Sequence, residues 1–189
     1  MKIMCNKHYK ELVEMIIQSG NEVNGTYEVI GEQIIVPLIT SAGVQLIMDV
    51  PNDLKEEFIL ALDNLETKQI GPYNTSHYLF MVNSVKALTK TILDDCLETR
   101  RSVIQFPVSH CFQSIQFLIR ENTIHVICTM RSCNAIKNLP MDMWICGHLA
   151  DIYRETVKKV FGISLYDTYR ITMNIGSLHV FKEDINDVF

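Results

Sequence analysis

Apolar side chains recur at helical spacing over residues 7–18 (KHYKELVEMIIQ), and Ser19–Gly20 stops the pattern. Two runs rich in β-branched residues follow, TYEVIGEQIIVPL (26–38) and VQLIMDV (44–50), divided by a Ser-Ala-Gly turn. Asn52 and Asp53 are suited to cap a helix over 54–64, with Glu56 and Glu57 in its first turns. Residues 71–77 (GPYNTSH) read as a loop, and a second helix is expected over about 81–97. Strand patterns return at 102–106, 112–119 and 123–130, the last two joined by the polar turn Arg-Glu-Asn-Thr. The longest helical pattern covers 141–161, directly after Pro140, and a closing strand falls at 169–181. Helices and strands mix without regular βαβ alternation, so the expected class is α+β around a mixed sheet. No repeat, low-complexity stretch or linker interrupts the chain, and residues 1–189 read as one domain.

Composition narrows this picture. With 189 residues, 48% of them hydrophobic, the chain can bury one sizeable core but not two. A formal net charge of −5 gives no sign of a nucleic-acid-binding surface or an electrostatic membrane anchor. A small anion held by a few local arginines is compatible with that balance. The N-terminal MKIMCNKHYKEL lacks the apolar stretch of a secretory signal, and the apolar segment 34–48 is too short and interrupted to span a bilayer. The six cysteines lie within apolar runs, unlike a disulfide scaffold, so free thiols and a cytoplasmic setting are expected.

Common catalytic motifs (GxGxxG, Walker A, HExxH, GxSxG) are absent. Cys128, Cys133, Cys146 and His148 match no paired zinc-ligand spacing, so no metal is expected. What stands out is a set of polar residues within apolar strands and helix starts: Arg100–Arg101, His110–Cys111, Arg131–Ser132, Asp142 and His179.

From 100 to 142 the order is Arg-Arg, a strand, a Cys, Gln116–Phe117, Met-Arg-Ser-Cys-Asn and Leu-Pro-Met-Asp; NIGSLHVF follows at 174–181. This resembles the thymidylate synthases and, in the same superfamily, the dCMP hydroxymethylases. Anchored on Gln116–Phe117 and Arg131–Ser132, the match needs no gap and sets Cys111 on the nucleophile. The resemblance implies a thymidylate synthase-like mixed sheet with flanking helices and a homodimer with shared active sites. It also implies a pyrimidine nucleoside monophosphate substrate and 5,10-methylenetetrahydrofolate as one-carbon donor. Arg131 and Ser132 would bind phosphate in cis, and Arg100 and Arg101 would be donated to the partner subunit's phosphate. Asp142 and Asn134 would meet the base and His179 the sugar. Glu57 would be the general base, with Tyr73 and His110 as further members of the site.

Asp142 carries the substrate preference. Thymidylate synthases have Asn here, whose amide serves both the O4 acceptor and the N3–H donor of uracil. An aspartate is suited to accept from the amino group of cytosine. The reading is a C5 one-carbon transferase, hydroxymethylating dCMP or CMP through a Cys111–C6 adduct. A minimal thymidylate synthase acting on dUMP and a catalytically silent nucleotide- or protein-binding paralogue are the alternatives. The departures bear on them: GNEVNGTY (20–27) lacks the family's phosphate-binding loop arginine, Asn134 stands for an aspartate, and Phe181 for a tyrosine. The segment bearing the family's folate-contacting tryptophans is largely absent, and Trp144 is the only Trp.

Overall fold

The computed structural model describes residues 2–3, 6–39, 52–64, 67–70, 73–166 and 168–187. The first helical pattern becomes α1 (Asn6–Ser19), which buries Leu12, Val13 and Ile16. It connects β1 (Lys2–Ile3) to a hairpin of β2 (Asn21–Val23) and β3 (Thr26–Ile39). Asn24 and Gly25 both take positive φ (49° and 79°), the conformation a two-residue hairpin turn demands and Asn-Gly adopts at low cost. The strand expected over 44–50 lies outside the described residues. Helix α2 (Asn52–Asp63) starts slightly ahead of the expected 54.

The segment read as a loop differs from expectation. Tyr73–Asn74 forms β5, paired with β4 (Gln69–Ile70), and α3 runs over Thr75–Asp94 rather than 81–97. Asn74 starts the helix early, its side chain accepting from the Ser76 N–H at 2.9 Å. From there Tyr78, Met81, Val85, Leu88 and Ile92 form one buried face at helical spacing.

Strands β6 (Val103–Gln105), β7 (Phe112–Arg120) and β8 (Thr123–Asn134) form a meander. Glu121 and Asn122, both at positive φ, make the β7–β8 turn. β8 continues past the expected 130 through Arg131–Asn134. Helix α4 (Leu139–Phe161) has Pro140 in its first turn and ends at Gly162, whose φ of 68° favours glycine. β9 (Tyr169–Phe181) has the predicted bounds, and a 3-10 turn (Lys182–Asp187) follows it.

The sheet runs β1-β3-β9-β8-β7-β6, with β2 also hydrogen-bonded to β3. β8 and β9 are parallel, as are β1 and β3; the other pairs are antiparallel. This is a mixed sheet in a single compact α+β domain. Side chains alternate along it. Ile115, Phe117, Val126, Cys128, Ile171 and Met173 are fully buried, with α1 and α4 packed against β3, β8 and β9. On the other face Ile35, Thr172, Ile127, Gln116 and Val103 sit directly opposite one another in register across five strands, each only half-buried. Among the described residues no helix is long and apolar enough to cross a membrane.

Candidate active site

Two helix starts and three strand ends converge on a cleft of about 390 Å³. Helix α3 contributes Asn74, His77, Tyr78 and Met81, one face at helical spacing. Helix α4 contributes Asn138, Asp142 and Ile145. The loop before β7 brings Ser109, His110 and Cys111; β8 brings Ser132, Cys133 and Asn134; β9 brings His179 and Phe181.

The position of Cys111 follows from the β7–β8 ladder. Phe112 pairs with Met130 but Ser114 with Thr129, so an extra residue bulges at Gln113. The bulge changes the phase of the strand, so Phe112 and Ile115 are both buried. Behind it, the Arg131 N–H donates to the Cys111 carbonyl at 2.9 Å. The His110 carbonyl accepts from Gln113 Nε2 at 2.9 Å and from Arg131 Nε at 3.3 Å. So held, the exposed Cys111 Sγ lies 3.8 Å from Ser132 Oγ.

Asp142 forms the deep wall. It is only 4% exposed and its carboxylate accepts from the Cys133 thiol at 3.5 Å. Burial pushes its carboxyl up to about 7, against a smaller opposing effect of the Cys133 hydrogen bond. Burial likewise holds the Cys133 thiol well above its ordinary value, so it stays protonated and donates. Asp142 does not cap α4: it sits in the first turn, the N-cap position is Asn138, and no side chain caps that end.

Two of the imidazoles, His110 and His179, are shifted toward the neutral form. Burial, and then His77, lowers His110; burial lowers His179. The His77 and His110 rings are 4.0 Å apart at an interplanar angle of 44°. Among the described residues lining the cleft there is no lysine or arginine, so cationic charge for a phosphate has to come from its rim or from elsewhere.

The predicted residues divide accordingly. Cys111, His110, Ser132, Asn134, Asp142 and His179 border one cleft. Arg131 is exposed and braces the His110–Cys111 loop instead of lining the cleft. Arg100 and Arg101 line a separate hollow with Asp95, Cys96, Glu98 and Thr99. Glu57 is not among the lining residues: it is half-exposed on α2 and bridges Lys68 at 3.1 Å. A general-base role for Glu57 in this cleft is therefore not supported, because the α2 register turns it to solvent. The Tyr73 side chain lies outside the described part of the structure. His77, missed in the sequence, becomes legible once the helix is started at Asn74, which puts it on the face that carries Tyr78 and Met81.

Cys96, Cys111, Cys128, Cys133 and Cys146 are free thiols, and among the described residues no His, Cys, Asp and Glu cluster could hold a metal ion. A scan against protein-family models finds no match, and a search of curated proteins finds none either.

Proposed function

We propose that the cleft takes a pyrimidine nucleoside monophosphate, a cytosine nucleotide in preference, and that the protein is a C5 one-carbon transferase, most simply a hydroxymethylase. The observation that carries this reading is the meeting, in one cleft, of an exposed thiol, a buried carboxyl and His179. They come from the three stretches that resemble the family's nucleophile, base and sugar contacts.

In this reading the Cys111 thiolate adds to C6, and the electrons of the C5–C6 double bond move to C5. C5 attacks an electrophilic one-carbon unit and loses its proton; the amine carrier of that unit leaves, and water adds to the exocyclic methylene so formed, supplying the hydroxyl. Expulsion of Cys111 restores the double bond. Asp142 accepts from the cytosine amino group, Ser132 donates to the phosphate, and His179 meets the sugar. Arg131 adds charge at the rim, while Arg100 and Arg101 serve the partner's cleft in a homodimer. With Glu57 outside the cleft, the paired imidazoles of His110 and His77, one of them on the thiol loop itself, are the candidate bases. Folate is carried by the resemblance alone. Trp144 is buried in α4 and stacks on His148, so it offers no face to a pteridine.

The mass of the product tests the proposal. After incubation of dCMP or dUMP with 5,10-methylenetetrahydrofolate, a hydroxymethyl group on dCMP is expected, absent with Cys111→Ser. A methyl group on dUMP would instead favour a minimal thymidylate synthase. The half-exposed Glu57 and the lack of a cleft cation favour a second reading, a nucleotide- or protein-binding paralogue without turnover. Biological activity surviving in Cys111→Ser would support it.

A further inference from the structure

Where β8 ends and the turn into α4 begins, three side chains are locked together. Asn134, 7% exposed, accepts at Oδ1 from the Ile136 N–H at 2.9 Å and the Lys137 N–H at 3.0 Å. Its Nδ2 donates to Asp184 Oδ2 at 2.9 Å. Asp184, 1% exposed in the 3-10 turn after β9, is balanced by Lys137 Nζ at 2.5 Å from its other oxygen. These bonds leave no freedom to exchange the amide's oxygen and nitrogen. A flip would set a carbonyl against a buried carboxylate and an NH₂ against two N–H donors.

One amide hydrogen is left over. It has no partner among the described residues, and the open space that Asn134 borders is the cleft. We infer that Asp184 is a positioning residue: it fixes the Asn134 amide so that this wall of the cleft presents an N–H donor. The ligand class follows from the pair of walls. Asn134 requires an acceptor on the ligand, a carbonyl oxygen or an unprotonated ring nitrogen. Asp142, when ionised, requires a donor such as an amino group. A ring carrying both groups satisfies the cleft. An aspartate at 134, as in the family this chain resembles, would offer only acceptors when ionised. The Asn134–Asp184 pair thus inverts the hydrogen-bonding polarity of that wall. Only the naming of the ring as cytosine rests on the proposed function.

The test exchanges the two partners. Asn134→Asp and Asp184→Asn alone should each lower the melting temperature, the first by facing two carboxylates and the second by weakening the Lys137 pair. The double variant Asn134→Asp/Asp184→Asn restores an amide–carboxylate bond and should recover most of that loss. It should nevertheless bind dCMP at least about tenfold more weakly than the native protein, because an acceptor now faces the ligand's acceptor. A merely structural pair predicts that affinity recovers along with the melting temperature, and that result would overturn the inference.

The side-chain amide of Asn134 gives a reading that needs no ligand. NMR of the native protein should show two distinct amide protons, one protected from exchange, with the protection lost in Asp184→Ala. Two protons that both exchange rapidly in the native protein would overturn the positioning role. If neither dCMP nor dUMP binds the native protein, the proposed function fails, and the amide signals still decide the role of Asp184.

Discussion

At the scale of single residues, Asp142 is the position where the proposed base recognition meets stability. Asp142→Asn gives the cleft an amide, which can serve both O4 and N3–H of uracil. The ratio of dCMP to dUMP affinity should therefore fall by about tenfold or more, measured by calorimetry on both nucleotides. The same residue gives a pH signature. Its carboxyl titrates near 3.8 in an unfolded chain and at about 7 in the folded one. Between those values the folded chain holds the extra proton, so stability should fall as pH rises across the window and level off above it. Urea titrations at pH 4.5 and pH 7.5 measure this, and Asp142→Asn should flatten the difference. Cys111, Ser132, Asp142 and His179 were legible in the sequence because each interrupts an apolar pattern with a polar side chain, whereas Asn134 entered only through the resemblance. That Glu57 lies outside the cleft was not legible: on a surface helix, a glutamate in the cleft and one in solvent leave the same pattern.

Among the elements, β9 was read with its observed bounds and α1 and α4 nearly so, since each carries an uninterrupted period. The start of α3 was not, because Gly-Pro and Asn-Thr-Ser-His signal a turn while the Asn74 cap shows itself only in the folded chain. The rear support of the site lies between β8 and β9. At Gly176 a β-carbon would stand 2.7 Å from the Arg131 carbonyl oxygen, beside Ser132. Gly176→Ala must open that strand pair, at a cost of about 1–3 kcal/mol. The expected outcome is a folded protein with a lower melting temperature and weakened nucleotide binding. A variant with native melting temperature and affinity would show that the close approach does not matter to the cleft.

Over the whole molecule, the helices α1 and α4 cover one sheet face and leave the row Ile35, Thr172, Ile127, Gln116 and Val103 half-buried on the other. That face is where the proposed homodimer would bury further apolar area. Sedimentation should give a dimer for the native chain and a folded monomer for Ile127→Lys, because a lysine there would be buried unpaired at the interface. A native chain that stays monomeric at high concentration would remove the shared-site part of the account. The α+β class and single domain were legible from the mix of periods. The uncovered sheet face was not, since half-buried isoleucine and threonine alternate with core residues just as a solvent-facing row does.

The proposed chemistry begins with addition of Cys111 to C6 of a cytosine nucleotide. Tritium release from C5-labelled dCMP and dUMP, with and without methylenetetrahydrofolate, tests it most directly. Release from dCMP in excess of dUMP, abolished by Cys111→Ser, is expected. Release that persists in the mutant, or none from a nucleotide that is bound, would contradict it.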